Sequence, residues 1–342
     1  MLFRSMLRCG LALVLVALSM SSPAAAEDEM DRAFARLYNF DFDGAHAVLN
    51  RHLAAHAADP LGYGVRAAVY LFWELNRLGI LEGQFFIDDK QITEKKKLKL
   101  DPEVRRQFFQ AIEDAQSRSQ KVLATAPDDE NALYALCMTH GMIVDYAALI
   151  EKRQIASLSL AKRSNGCAQK LLKLHPDAHD ARITTGFTEY LVGSLPFFAR
   201  WIVHFEEIKG SKEVGIQNLE LVARSGHYLK PFAKILLAIV YLREKKPQEA
   251  ERQLAELARD FPENPLIRKE LARLSTRSPR DPPPATSARP SSPHPGLFLL
   301  LISDSSGWPP PPPTAAPGCR SRCARSGGPG RPAGRTEQRP TP

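Results

Sequence analysis

Apolar residues recur at helical spacing along most of the chain between residues 27 and 277. In the clearest segment, apolar residues separated by four, three and four positions share one helix face: Ala250, Leu254, Leu257 and Phe261. Pro247 lies where the first turn would be and another proline follows Phe261, as is typical of a helix start and a helix stop. The pattern therefore predicts an amphipathic helix over residues 247–260.

The same periodicity predicts eleven helices joined by mostly short polar connections. Their predicted bounds are 29–38, 42–57, 61–78, 102–125, 130–148, 152–174, 178–208 with a break near Pro196, 211–225, 229–243, 247–260 and 264–275. Neighbouring helices with tight connections form antiparallel hairpins. The pattern thus predicts an all-α domain over residues 27–277, with about five hairpins and a final capping helix.

The connections between the predicted helices contain residues suited to capping. An Asp or Asn side chain accepts hydrogen bonds from the free N–H groups of a helix's first turn. Four junctions offer such residues before the next helix: Asp59, Asp128–Asp129, Asp177 and Asn264. The last helix also has the polar face expected of the end of a repeat array, formed by Arg268, Lys269, Glu270 and Arg273.

Residues 231–264 form a 34-residue unit that resembles the tetratricopeptide repeat (TPR) family. The positions that carry the resemblance are Leu237, Ala238 and Tyr241 in the first helix, and Ala250, Leu254 and Pro262 in and after the second. The unit departs at Lys234, where a large apolar residue is usual, and at Leu257, where a small one is usual. The resemblance implies a right-handed α-solenoid whose concave surface binds an extended or helical partner.

A second resemblance covers residues 183–243 and concerns the Iml2-type helical-repeat family of inclusion-body-clearance proteins. It is carried by Gly186-Phe187, Leu195-Pro196, Ile208-Lys209-Gly210-Ser211, Gly215, Leu219 and Ser225-Gly226. In that family a proline-broken helix precedes a polar turn with glycine and a helix bearing one glycine. This resemblance implies a role in handling proteins or lipid droplets, with no defined catalysis.

The first 26 residues have the features of a secretory signal peptide. Arg4 and Arg8 precede an apolar run over residues 11–18, and small residues follow as far as Ala26. We expect cleavage after Ala26 and export to the periplasm or cell envelope of a bacterium. The alternative is an uncleaved N-terminal anchor, for which the apolar run is short.

The last 65 residues, 278–342, differ in composition from the rest of the chain. They hold 17 of the 27 prolines and eight arginines but no lysine, and they show no helical period. Such a segment buries too little apolar surface to offset its ordering entropy, so we predict a disordered tail. Three origins stay open: translation of GC-rich DNA in an unintended frame, a genuine linker, or a functional basic arm.

The net charge of +8 belongs mainly to these two termini. The first 26 residues carry two of the positive charges and the tail contributes five, which leaves +1 for residues 27–277. A nucleic-acid-binding domain needs its Lys and Arg residues gathered on the folded surface. The near-neutral helical part therefore argues against a nucleic-acid partner.

Residues 79–101 interrupt the hairpin pattern and form a candidate partner-binding insertion. An aromatic pair and a lysine cluster stand out in it: Phe85, Phe86, Lys95, Lys96, Lys97 and Lys99. The lysines would face an acidic partner. The alternative is a solvated insertion whose phenylalanines only cover the core.

Residues 195–205 are the most aromatic segment, and Phe197, Trp201 and Phe205 share one predicted helix face with His204. Such a face suits a peptide groove or contact with lipid. The alternative is ordinary core between long helices.

Cys137 and Cys167 lie on the two predicted helices of one hairpin. In an oxidising compartment they would be able to form a disulfide, although two buried free thiols are the favoured alternative. His52 and His56 are one turn apart with His46 before them, but no third ligand completes a zinc site. We therefore predict no metal and no cofactor.

No phosphate-binding loop, nucleophile elbow or paired-cysteine zinc motif occurs in the chain. The sequence predicts a non-catalytic exported scaffold that binds a protein or peptide partner. The alternatives are a lipid-associated envelope-assembly factor that uses the aromatic face, and an enzyme without a local motif. Oligomeric state stays open.

Overall fold

The computed structural model describes residues 23–82, 98–195 and 209–276. These residues contain eleven α-helices and no β-strand, which confirms the predicted all-α class. In chain order the helices are α1 Pro23–Tyr38, α2 Phe42–Ala55, α3 Pro60–Arg77, α4 Pro102–Leu123, α5 Glu130–Asp145, α6 Gln154–Leu174, α7 Arg182–Ser194, α8 Lys212–Ser225, α9 Lys230–Arg243, α10 Pro247–Asp260 and α11 Pro265–Ser275.

The helices pack as five successive hairpins. Each of α1, α3, α5, α7 and α9 packs against the helix that follows it, and α11 packs on α10. Adjacent hairpins are in contact through α2 with α3, α4 with α5, α6 with α7, and α8 with α9. This order confirms the predicted helical-repeat architecture.

The helix starts follow the predicted capping at three of the four junctions. The side chains of Asp59, Asp129 and Asn264 accept hydrogen bonds from N–H groups in the first turns of α3, α5 and α11. The prediction for Asp177 was wrong. There the chain first forms a 3₁₀ turn, His179–Ala181, and α7 begins without a side-chain cap.

Two helix bounds also differ from the periodicity. The predicted helix 130–148 ends as an α-helix at Asp145 and continues as a π-helical turn, Tyr146–Ile150. By length and composition alone, the combined segment Glu130–Ile150 could cross a membrane, a property that core helices of soluble proteins share. The first helix begins at Pro23, six residues before its predicted start at 29 and four before the position predicted to start the mature chain.

The core consists mainly of two apolar clusters. The larger is built from α1 to α5 and the second from α7 to α11. Leu229, Phe232 and Phe261 pack against both clusters and join them. Lys234, which departs from the repeat pattern, is buried. Its Nζ lies 3.0 Å from Glu256 Oε2 and 3.4 Å from Asp260 Oδ2.

The α7–α8 hairpin owes its close packing to glycine. A Cβ at Gly215 would lie 2.6 Å from the backbone nitrogen of Tyr190, and one at Gly186 would lie 2.8 Å from Asn218 Cβ. The connection into α8 passes through Gly210 at φ +72°, in the left-handed region that favours glycine. The glycines noted in residues 183–243 therefore have a packing explanation.

The first helix also contacts the last repeat. The Tyr38 hydroxyl donates to the carbonyl oxygen of Tyr228 over 3.0 Å, and the Asn264 side-chain amide donates to the carbonyl oxygen of Tyr38 over 2.6 Å. The rings of Phe34 and Tyr228 stack at 4.8 Å, and those of Tyr38 and Phe261 lie 5.3 Å apart. These contacts join residues about 190 to 226 positions apart in the sequence.

Candidate functional site

The first helices of all five hairpins converge on one cavity of about 160 Å³. Helix α6 contributes two further residues to its wall. The described lining consists of Phe34, Leu37 and Tyr38 from α1; Ala68, Leu71 and Phe72 from α3; Cys137, Met138, Gly141, Met142, Val144 and Asp145 from α5; Ala161 and Ser164 from α6; Ile183, Thr184, Phe187 and Thr188 from α7; and Leu229, Phe232 and Leu236 at α9.

The lining follows from helical periodicity. Within each helix these residues are spaced mostly by three or four positions, so they form a stripe on the face turned toward the cavity. The stripes are almost wholly apolar. The cavity, hereafter the inner cavity, lies on the inner side of the array of hairpins and is partly open to solvent.

Asp145 is the single residue of the described lining that carries a carboxyl group. It ends α5, directly before the π-helical turn. Burial raises the pKa of this carboxyl from 3.8 to about 7, and no Lys, Arg or His belongs to the described lining. The residue is half-buried by its accessible surface, and a carboxyl group with this pKa changes charge near neutral pH.

Ser164 places a second polar group in the cavity wall. The residue is 1% exposed, and its Oγ has no hydrogen-bond partner among the described residues. A Cβ at Gly141 on the facing helix would lie 3.8 Å from that oxygen. A buried hydroxyl without a partner is costly, and this oxygen has almost no solvent-accessible surface.

A disulfide joins α5, which carries Asp145, to α6, which carries Ser164. Cys137 on α5 and Cys167 on α6 are bonded in the structure, with Cα atoms 5.4 Å apart. The structure thus holds the pair as a disulfide and not as the two free thiols that the sequence favoured. Cys137 also lines the inner cavity.

Asp180, buried behind the cavity wall, holds the loop that supplies Leu229. Its carboxylate accepts hydrogen bonds from the Tyr134 hydroxyl at 2.9 Å and from the backbone N–H groups of His227 and Leu229 at 2.9 and 3.1 Å. Burial and the nearby charge of Asp180 raise the pKa values of Tyr38 and Tyr134 well above 10. Both phenols are therefore neutral hydrogen-bond donors.

Most of the partner-binding residues predicted from the sequence lie outside the described residues. Lys99 is described and exposed, and its backbone carbonyl accepts a hydrogen bond from Arg77 at 2.6 Å. The others outside the described ranges are Phe85, Phe86, Lys95, Lys96, Lys97, Phe197, Trp201 and Phe205. Their proposed roles stay predictions.

One histidine of the α2 pair, His52, takes part in ion pairing. His52 is buried with Nε2 2.7 Å from Asp59 Oδ2 and Nδ1 3.3 Å from Glu29 Oε2. Although burial lowers the pKa of His52, the two carboxylates outweigh it and the pKa is raised. Across residues 23–82, 98–195 and 209–276, no three His, Cys, Asp or Glu side chains are grouped as metal ligands would be.

Sequence reasoning missed the inner cavity because its lining comes from six helices that are distant along the chain. One local signal was present. Asp145 is the single acidic residue between Asn131 and Ile150, in an otherwise mostly apolar stretch. A lone carboxyl in an apolar helix is usually paired or functional.

The hairpins form a helical-repeat array, and its last part is similar to the tetratricopeptide repeat family. Residues 231–274, which cover most of α9 and α11 and all of α10, match the family model described as tetratricopeptide repeat. Among solved structures, a thermophilic TPR protein of Thermus thermophilus is similar at 14% sequence identity and a TM-score of 0.41, over 73% of this chain and 99% of that chain. The search of curated proteins found no match.

Proposed function

We propose that the protein is an exported, non-catalytic scaffold that binds a protein or peptide partner through the inner side of its hairpins. TPR repeats typically mediate protein–protein interactions, and a fold of this kind suggests an interaction scaffold. The observation that carries the proposal is the convergence of α1, α3, α5, α7 and α9 on the inner cavity.

The volume of the inner cavity limits what enters it. About 160 Å³ is close to an engineered cavity of roughly 150 Å³ that takes up benzene. A whole peptide helix is far larger. The partner therefore inserts one apolar side chain as an anchor, and buried anchors of this kind contribute most of the affinity of many interfaces.

A cavity-filling substitution tests this proposal. Ala161 lines the cavity on α6, and Ala161→Met enlarges the side chain in the wall without removing a polar group. Ser159 on the same helix is exposed, so Ser159→Met is the matched control. Proteins from the cell envelope are captured on the full chain and on both variants, and quantified by mass spectrometry.

We expect a partner that is enriched on the wild type and on Ser159→Met and is lost on Ala161→Met. A set of captured proteins that is the same for all three chains would overturn the proposal. A partner lost on both variants would place the interface on the exposed side of α6 instead.

The export part of the proposal rests on residues 1–26 of the sequence. Cell fractionation and N-terminal sequencing of the purified protein test it. We expect a periplasmic or envelope protein that starts at Glu27. Recovery of an intact N-terminus in the cytosolic fraction would contradict export.

A further inference from the structure

We infer that the inner cavity binds a primary ammonium group attached to an apolar body about the size of benzene, with Asp145 as its counter-ion. The inference rests on the proposed function, since it names the chemistry of the group that the cavity takes up. The ammonium group comes either from a free amine or from the N-terminal residue of a peptide partner.

The charge of the lining selects a cation. An ionised carboxylate in apolar surroundings is costly unless it is paired, and the Asp145 side chain makes no hydrogen bond or ion pair with another described residue. The other ionisable residues of the described lining, Tyr38 and Cys137, carry no positive charge. Tyr38 donates its hydroxyl to the Tyr228 carbonyl, and Cys137 is held in the disulfide.

The hydrogen-bonding capacity of the wall also fits an ammonium group. Such a group offers three donors and no acceptor. Asp145 accepts one donor as a charge-assisted hydrogen bond, and Ser164 in the same wall has an unpartnered Oγ that becomes a second acceptor when its side chain turns toward the ligand. A ligand carboxylate or phosphate would instead place a second negative charge beside Asp145.

The apolar body of the ligand follows from the volume and the remaining walls. A benzene-sized group fills a cavity of this size. The aromatic side chains of Phe34, Phe72 and Phe232 belong to the lining. Contact of a ring or short aliphatic chain with them supplies the hydrophobic part of the binding free energy.

Benzylamine and its neutral isostere benzyl alcohol test the inference by calorimetry on the full chain with its disulfide intact. At pH 8 we expect benzylamine to bind at least tenfold more tightly than benzyl alcohol. Asp145→Asn is expected to abolish that preference, and Ser164→Ala to weaken benzylamine several-fold. Ala161→Met should abolish binding of both probes, and Ser159→Met should leave both unchanged.

The pH profile gives a second readout. With a carboxyl pKa of about 7, Asp145 is mostly ionised at pH 8 and about 1% ionised at pH 5. Benzylamine affinity is expected to fall by roughly a hundredfold between those pH values in the wild type, and to stay constant in Asp145→Asn. Equal affinities of wild type and Asp145→Asn for benzylamine at pH 8 would overturn the inference.

A peptide arm separates the two sources of the ammonium group. The probes are a tripeptide with N-terminal phenylalanine and its N-acetylated form. Tight binding of the free tripeptide alone indicates a peptide terminus, and tight binding of benzylamine alone indicates a small amine; each supports the ammonium site. If neither binds while Ala161→Met still loses its protein partner, the ammonium site is wrong and the scaffold proposal stands.

Discussion

Two carboxyl groups, those of Asp180 and Asp145, differ in the number of hydrogen bonds that the fold gives them. Asp180 is 4% exposed and accepts three hydrogen bonds, one from a tyrosine hydroxyl and two from backbone N–H groups. Asp145 has apolar neighbours and no such donors among the described residues. The first group therefore stabilises the fold, while the second opposes folding when it is ionised.

The folded-state pKa of Asp145 predicts a specific pH dependence of stability. Its pKa is about 7 in the folded chain against 3.8 as the ordinary value. Between these pH values the unfolded chain has lost a proton that the folded chain keeps, so the free energy of unfolding falls as pH rises and levels off above pH 7. Because Asp145 is only half-buried, we expect this loss to amount to a few kcal/mol at most.

Replacing Asp145 by asparagine should remove this loss. We expect Asp145→Asn and the wild type to be similarly stable at pH 3.5, where the carboxyl is mostly protonated in both states, and the variant to be more stable by a few kcal/mol at pH 8, measured by urea unfolding. The exposed Asp177, as Asp177→Asn, is the control and should follow the wild type. A stability difference that does not change with pH would contradict the raised pKa.

Asp180 predicts the opposite outcome. Asp180→Ala leaves two backbone N–H groups and the Tyr134 hydroxyl without their acceptor. Because unsatisfied buried donors cost about 1–3 kcal/mol each, we expect the free energy of unfolding at pH 7 to fall by about 3 kcal/mol. Asp177→Ala should change it by less than about 0.5 kcal/mol; similar losses in both variants would contradict the role of Asp180.

At the scale of the helices, glycine decides how closely a hairpin packs. Gly215 faces the backbone of α7, where a Cβ would lie 2.6 Å from a peptide nitrogen that cannot move aside. Gly166 on α6 is exposed, and a Cβ there would meet no atom within 4 Å. The same substitution should therefore have opposite effects at the two positions.

We expect Gly215→Ala to lower the free energy of unfolding by about 2–3 kcal/mol, since the helices must separate to admit the methyl group. Gly166→Ala should raise it by about 0.5–1 kcal/mol through the higher helix propensity of alanine. Thermal and urea unfolding of the two variants measure both effects. A neutral Gly215→Ala would show that α7 and α8 do not pack this closely.

The helices themselves were largely predictable because apolar spacing and capping residues are local signals. The N-terminal caps predicted at Asp59, Asp129 and Asn264 agree with the structure for that reason. The 3₁₀ turn before α7 and the π-helical turn after Asp145 were not predicted. Such turns depend on how neighbouring helices pack, and nothing in the local pattern of apolar residues marks them.

Lys234 shows how tertiary contacts decide what a departure from a repeat pattern means. The sequence marked it as unusual at a position that normally holds a large apolar residue. In the fold its amino group reaches Glu256 and Asp260, which lie one turn apart on α10. The charge is thereby paired within the same hairpin, and the aliphatic part of the side chain fills the apolar position.

At the scale of the whole helical domain, the contact between the first helix and the last repeat was not predictable. An open solenoid has neighbour contacts only, and its stability is a sum over repeats and their interfaces. Here Phe34 packs on Tyr228 and Tyr38 packs on Phe261, although the paired residues lie near opposite ends of the domain's sequence. The inner cavity depends on this contact, because α1 supplies part of its wall.

Asn264 allows that contact to be tested without loss of a helix cap. Its Oδ1 caps α11, and its Nδ2 donates to the Tyr38 carbonyl. Asn264→Asp keeps the capping oxygen but sets a carboxylate oxygen against that carbonyl. We expect the free energy of unfolding to fall by about 2 kcal/mol, with faster amide hydrogen exchange in α1 as well as in α11.

The exchange in α1 is the decisive measurement. If the two ends of the domain were independent, a substitution at Asn264 would leave the protection of Pro23–Tyr38 unchanged, since Asn264 and Tyr38 are 226 positions apart in the sequence. Glu263→Gln, which changes an exposed neighbouring side chain, is the control and should alter neither helix. Faster exchange confined to α11 would mean that the hairpins behave as an open array, and that α1 closes the inner cavity without help from the last repeat.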